Sequence, residues 1–581
     1  MRSQHHSSNK ATRPSNSTQL IKANKSNIDV SHKLQQALAL HSGGALDLAA
    51  PLYQEILKLD PKHFDALQLL GTLATQKGEW ENAIYYFEKS LTVNNKYPNV
   101  YFNQGIVYQK LSKLDAAIVS YNKAIALKPD YSEAYCNKGV VLKELKRFEE
   151  ALTSLDTSIQ LNPQNAQAYS NLGMVLKELH SLVPALINCN KAIILSPDSA
   201  EAHYNRACVL KEMNYLDAAL TSFNDAIDLN SHYAQAHYGK GFICLELKRL
   251  KESLVCLDQA IRLKENYAEA YWTRAFTLLL TGDLKKGFQE YEWRFFNNES
   301  NSDKHKRVFD KPLWLGDESL EKKTIFIHCE QGLGDTVQFC RYTKLLAQRG
   351  AKVILEVQPP LFNLLQNLDG VHQLISQGSA LPEFDYQCPL ASLPLALKTD
   401  SSTVPSGVRY IQADLKKVAR WRARLGLQKR IRIGIVWSST SPFKKDKERS
   451  ITFKQMISAF PKGLFELICL QKEIKEQDEM EFQASEVRFF GEELTDFSET
   501  AALAQCMDLV ISTCTSVPHL TAAIGIPTWI LLQYVPDWRW QLDKEDSDWY
   551  PSAKLYRQKS LGDWESVLAQ VYADLMKLKA L

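Results

Sequence analysis

Residues 132–165 read SEAYCNKGVVLKELKRFEEALTSLDTSIQLNPQN, and the spacing of small residues and proline here decides the architecture of the first half of the chain. Gly139 stands at position 8 of this stretch, Ala151 at position 20 and Pro163 at position 32. Stepping outward by 34 residues brings Pro61, Asn95, Pro129, Pro197, Ser231 and Glu265 to the proline slot. Eight repeats follow, starting at residues 30, 64, 98, 132, 166, 200, 234 and 268. Position 8 becomes Ala37, Gly71, Gly105, Gly139, Gly173, Ala207, Gly241 and Ala275. Position 20 becomes Ala49, Ala83, Ala117, Ala151, Ala185, Ala219, Ser253 and Gly287. Small residues at both positions predict two antiparallel helices per repeat that touch where a larger side chain would force them apart. Proline after the second helix stops it, because it has no N–H and a fixed φ.

This pattern resembles the tetratricopeptide repeat over residues 30–301. The resemblance implies an all-α superhelix with a concave groove, each repeat burying its apolar face against its neighbours. Position 6 is Asn103, Asn137, Asn171 and Asn205 in four consecutive repeats, and Lys143, Lys177 and Lys211 recur at position 12. A ladder of carboxamides offers donors and acceptors to the backbone of an extended protein or peptide partner. It serves equally for hydrogen bonds between helices, and the residues alone leave both readings open. The array is similar to that of the O-linked N-acetylglucosamine transferases, whose groove carries such an asparagine ladder.

The remaining composition excludes several classes. Of 69 Lys and Arg, five lie in residues 1–27, which hold no acid, so the rest of the chain is slightly acidic. Residues 1–29 are expected to be a disordered Ser/Asn-rich tail, and nucleic acid is not an expected partner. No apolar run approaches the ~20 residues of a membrane span. The 11 cysteines show no metal-ligand spacing and sit in apolar runs, as reduced thiols of a cytoplasmic protein do.

Past a linker at 302–322 the pattern changes. Short apolar runs at 324–328, 353–357, 431–437, 464–470, 509–513 and 528–532 alternate with helical segments, predicting parallel sheets covered by helices. A charged break at 428–430 divides two Rossmann-like lobes, 323–427 and 428–581. After the first strand comes Glu330-Gln331-Gly332-Leu333-Gly334-Asp335-Thr336. Asp335 at the following helix start is either a capping acid or a general base toward an acceptor hydroxyl, with His328 and Glu330 next in line. In the second lobe, Cys514-Thr515-Ser516-Val517-Pro518-His519 carries a strand into a helix whose N-terminus favours an anion.

The stretch 312–557 resembles the glycosyltransferase domain, related to the heptosyltransferases, that bacteria attach to tetratricopeptide arrays. Matching segments include Pro312-Leu313-Trp314, 330–335, Gln338-Phe339, Arg341-Tyr342, Val357-Gln358-Pro359-Pro360, Val436-Trp437-Ser438, Arg449-Ser450, Leu470-Gln471, 536–540 and Trp549-Tyr550-Pro551. The resemblance implies a GT-B fold with no required metal or cofactor, the acceptor on the first lobe and a nucleotide-sugar on the second. It implies Asp335 as catalytic base, and Ser438 and Ser439 at phosphate. It further implies Arg449 opposite leaving-group charge, Gln471 near the ribose or base, and Thr515, Ser516 and His519 at the diphosphate. The Trp residues of Asp537-Trp538-Arg539-Trp540 read as packing. The chain departs from the family at Cys514, where Asp is usual, and at Pro518, where Ala is usual. The expected function is a nucleotide-sugar-dependent glycosyltransferase that recruits a protein or peptide acceptor through the repeats; a non-catalytic scaffold built on the same domains is the alternative, and a glycosyltransferase acting on a carbohydrate chain without a protein acceptor is a third.

Overall fold

The computed structural model describes residues 16–297, 307–407, 409–439 and 446–579. The chain forms two compact units, Met1–Ser231 and His232–Leu581.

The first unit is six helix pairs. In pairs two to six the first helix has 13 residues and the second 14, as in Ser132–Glu144 with Phe148–Leu161. The expected tail is shorter than 29 residues, because the first helix runs Asn16–Ser42. No glycine or proline interrupts that stretch, and Lys33 pairs with Asp29 one turn away. Residues 1–15 lie outside the described residues.

The pairs with glycine at position 8 close on the same contact. A Cβ on Gly105 would lie 2.5 Å from the ring of Tyr121, and one on Gly139 would lie 2.6 Å from Leu155 Cγ. Position 8 thus receives the large side chain at position 24, while the alanines of position 20 are fully buried alongside. Position 15, between the two helices, has positive φ in all eight repeats. It is glycine at Gly44, Gly78 and Gly282, but Ser112, Lys146, His180, Asn214 and Lys248 elsewhere, with φ of 56–62°. A left-handed residue there lets two N–H groups return to the last helical turn, as Ser112 N does to Gln109 O at 2.9 Å and Lys113 N to Tyr108 O at 2.9 Å.

The second unit opens with repeats seven and eight and continues into two parallel sheets. Here the structure departs from a boundary at 302–322, of which 302–306 lie outside the described residues. The physical reason is a shared core. Phe288 and Tyr291 of repeat eight meet Trp538 edge-on, with ring centroids 5.4 Å and 6.4 Å apart. Arg294 then donates to Glu330 at 2.8 Å and to Ser392 at 2.7 Å.

The first sheet comprises β1 (Thr324–His328), β2 (Lys352–Val357), β3 (Gln373–Ser376) and β4 (Tyr386–Pro389), ordered β3-β2-β1-β4. The second comprises β5 (Arg432–Val436), β6 (Glu466–Cys469), β7 (Leu509–Thr513), β8 (Thr528–Leu532) and β9 (Ala553–Arg557), ordered β6-β5-β7-β8-β9. All pairings are parallel. Strands β3, β4 and β9 are additional to the apolar runs read from sequence: two have only four residues, one ends in proline, and β9 carries Lys554 and Arg557. Strand order reverses between β1 and β4 and between β5 and β7, and open parallel sheets receive ligands at the carboxyl ends of strands at such points. Among the described residues no helix is long and apolar enough to cross a membrane.

The helix-pair contact is testable. Alanine gains about 1 kcal/mol over glycine in a helix, whereas overpacking a core costs about 1–3 kcal/mol. Gly105→Ala should therefore destabilise the first unit in urea melts. The same change in a Tyr121→Ala background should be neutral or stabilising, since the side chain it collides with is gone.

Candidate functional site

The two switch points meet through two short helices. Leu333–Phe339, following β1, carries Asp335 at its third position, where Oδ2 accepts from Gly332 N at 2.9 Å. Ser516–Ala523, following β7, carries His519. They approach so closely at Gly334 that a Cβ there would lie 3.0 Å from His519 Cδ2 and 3.4 Å from Ser516 Cα. A side chain at 334 would have to displace the His519 ring by a few tenths of an ångström.

Asp335 is a quarter exposed and paired across the lobes with Arg539, whose Nη2 donates to its Oδ1. Arg539 is 6% exposed. Its Nη1 donates to both carboxylate oxygens of Asp537, at 2.9 Å and 3.1 Å, and its Nε to Gln338. Burial raises the Asp335 carboxyl above the usual carboxylate range, and Asp537 pushes the same way against the pull of Arg539. Asp335 is thus both a helix cap and an acid of raised proton affinity. The alternative bases are engaged in structure: Glu330 accepts from Arg294 and, at 3.1 Å, from Ala391 N, while buried His328 bonds Gln387 at 3.0 Å.

His519 is buried, stacks on Trp540 with centroids 5.2 Å apart, and bonds the Tyr550 hydroxyl through Nδ1 at 2.9 Å. Burial first, then Arg539 and Arg341, hold its pKa well below the ordinary histidine value. It enters the site as a neutral hydrogen-bonding group. Thr515 caps the helix, its hydroxyl accepting from Val517 N at 3.3 Å, and Ser516 opens it. Cys514 lies at the end of β7, its sulfur accepting from Trp540 Nε1 at 3.1 Å. Burial pushes the Cys514 thiol up to about 11 despite the charges of Arg449 and Arg539, so no anion replaces the acid usual in the resembled family.

Strands β5 and β7 pair Val436 with Ser512, so Ser438 and Cys514 leave the sheet from neighbouring strand ends. Gln471, expected near a ribose or base, has both ends of its amide engaged within the second lobe. Its Oε1 accepts from Trp437 N at 2.7 Å and Ser438 N at 3.0 Å, and its Nε2 donates to Ser438 Oγ at 3.4 Å and Glu473 O at 3.2 Å. Both ends of this amide fix the turn after β5, so it is a positioning residue. Arg449 Nη2 reaches Ser439 Oγ at 3.4 Å.

Arg539 and Gln338 join the site without having been assigned a role from sequence. Their signals were the segments 536–540 and Gln338-Phe339; in the first the tryptophans pack as expected, at 2% and 1% exposure, while the arginine between them supplies the charge.

In the first unit the asparagine ladder divides. Asn205 Nδ2 donates to Ser170 at 2.9 Å and Asn171 Nδ2 contacts Cys136 sulfur at 3.8 Å, each reaching position 5 of the preceding repeat. Both are buried, whereas Asn103 and Asn137 are half-buried. Of the two readings left open by the sequence, Asn171 and Asn205 take the helix-linking one.

Residues 34–98, 110–146, 141–179, 200–233 and 234–267 match family models described as tetratricopeptide or TPR repeats. The N-terminal array is built of tetratricopeptide repeats. Protein FlbA of Caulobacter vibrioides is 25% identical over 347 residues, which are 52% of this chain and 54% of FlbA. The chain thus spans about half the length of that relative. Among solved structures, a tetratricopeptide repeat protein from Parabacteroides merdae is 17% identical with a TM-score of 0.39, covering 43% of this chain and 99% of its own. YrrB, described as a TPR protein with an unusual peptide-binding site, is 24% identical with a TM-score of 0.26, covering 32% and 95%.

Two outcomes follow from these environments. A histidine held neutral when folded, with an unfolded pKa of ~6.5, takes up its proton on unfolding. Its stabilising effect is complete above pH ~6.5 and is lost as pH falls, by up to about 1.4 kcal/mol per pH unit. His519→Gln should therefore flatten the acid limb of a stability–pH profile by about that slope, leaving the share of His328, whose pKa burial pulls down to about 4. In the array, Asn171→Ala and Asn205→Ala should each cost about 1 kcal/mol in chemical denaturation. Asn103→Ala and Asn137→Ala should stay within about 0.5 kcal/mol.

Proposed function

We propose that the second unit is a GT-B-type glycosyltransferase that moves a sugar from a nucleoside diphosphate to a protein or peptide held by the tetratricopeptide repeats. The observation that carries this reading is the meeting of Asp335, an acid of raised proton affinity, with buried Arg539 where the two strand-order reversals converge. In the proposed step the acceptor hydroxyl oxygen bonds the anomeric carbon. The bond from that carbon to the diphosphate oxygen breaks, its electron pair leaves with the diphosphate, and the hydroxyl proton passes to Asp335. Arg449 and Arg539 supply positive charge for the leaving group, and the Thr515-capped helix adds its N-terminal dipole.

A second reading, a scaffold without transfer, is favoured by one observation. Cys514 is a neutral thiol engaged by Trp540, so a strong acceptor for sugar hydroxyls is missing at the end of β7.

The two readings separate on titration with UDP-, GDP- and ADP-linked sugars. Donor at about 100-fold over its dissociation constant adds about 2.7 kcal/mol to the folded state, a readable shift in melting temperature. In the enzyme reading the wild type shifts with one donor. Asp335→Asn, which keeps the cap but takes no proton, should retain that shift while transfer falls by ~10²–10⁴-fold. A shift seen in Cys514→Asp and absent from the wild type would instead mark a pocket that has lost its hydroxyl acceptor, and the scaffold reading would stand.

A further inference from the structure

On the far edge of the second sheet, beside β6, lies a half-open cavity of about 660 Å³, within the range of small-molecule sites. None of the residues assigned to the candidate site lines it. Its walls are Phe453, Ile457, Phe460, Phe465, Leu467 and Val487, part of a hydrophobic core separate from the one beneath Asp335 and His519. Ser485 is its one uncharged hydroxyl, so a sugar or a nucleobase would find few partners for its polar edges.

Charge is confined to the mouth. Lys429, Arg430, Lys454 and Lys462 are exposed there, and no ion pair joins them to a described residue. Of the acids, Glu466 is neutralised by Arg432 and Arg488, both at 2.7 Å, which leaves Glu481 and Glu486 against four cations. Leu427, at 90% exposure, stands beside Lys429 and Arg430 at the same rim. Aromatic and aliphatic walls, whose one hydroxyl, Ser485, is already bonded to Phe482 O and Val487 N, and a cationic mouth select a ligand with an alkyl body and an anionic end.

We propose that this cavity binds a single-chain anionic amphiphile, the alkyl chain against Phe453, Phe460 and Phe465 and the carboxylate or phosphate among the four cations. That chemistry is shared by a free fatty acid or alkyl phosphate and by a lipid drawn from a bilayer, and the test distinguishes the two.

The experiment titrates the full chain calorimetrically with dodecanoate and dodecyl phosphate below their micellar concentrations, with octyl phosphate and inorganic phosphate as shorter probes. One molecule should bind per chain, affinity should rise from octyl to dodecyl, and inorganic phosphate should not bind. Lys454→Glu with Lys462→Glu should raise the dissociation constant about tenfold or more. Ala484→Trp, which closes the mouth from an exposed position, and Ile457→Trp, which fills it from within, should abolish binding at unchanged helicity. Flotation with phosphatidylcholine vesicles, with and without phosphatidylglycerol, gives the source. Association that Ala484→Trp removes marks a lipid taken from a bilayer, and monomer binding without vesicle association marks a free amphiphile. Absence of saturable binding, equal affinity at every chain length, or binding unchanged in both blocking variants would overturn the proposal.

Discussion

A guanidinium group removed from water must be met by acceptors in fixed positions, and the second unit is organised around three of them. Arg294 fastens the last repeat to the first sheet through Glu330 and Ser392. Arg341 joins the lobes by donating to the carbonyl of Gln338 at 2.8 Å and to that of Trp549 at 2.7 Å, with the Tyr410 hydroxyl at 2.8 Å. Arg539 joins them again through Asp335, Asp537 and the side chain of Gln338. Gln338 serves both inter-lobe arginines, one with its backbone and one with its amide. Leaving a buried charge without partners costs several kcal/mol, so the two lobes are constrained together at the residue next to which chemistry is proposed.

This arrangement gives Asp335 two masters. The same guanidinium that keeps it ordered lowers its affinity for a proton, and burial works in the opposite direction. A diphosphate arriving beside Arg539 would compete for that charge and leave the carboxylate more basic. His519 and Cys514 contribute no charge to the balance, since burial holds one imidazole and one thiol neutral. The electrostatics of the cleft therefore rest on arginines, aspartates and a helix terminus.

How much could be read without coordinates followed from the range of each interaction. The repeat lattice was legible because every helix pair restates the same short-range contact, small at position 8 and at position 20. The side chain at position 24 that fills the gap was not noticed, since it varies among Phe, Tyr, Leu and Cys. Strands β3, β4 and β9 were missed because four-residue strands and a charged edge strand lack a long apolar run. Asp335, Ser438 and Cys514 were found as strand-end residues. The tasks of Gln471 and Arg539 were hidden, because each is defined by partners 33 to 204 residues away. The ladder was ambiguous in the same sense: an asparagine at position 6 reads alike whether it faces a groove or donates to position 5 of the preceding repeat.

The division at Ser231/His232 bears on how such a chain is assembled over evolutionary time. Recombination at 302–322 would separate Phe288, Tyr291 and Arg294 from Trp538, Glu330 and Ser392 and expose an aromatic surface on both fragments. A functional exchange must instead carry repeats seven and eight along with the sheets. A change in the number of repeats that leaves this shared core intact therefore falls on the N-terminal side of repeats seven and eight.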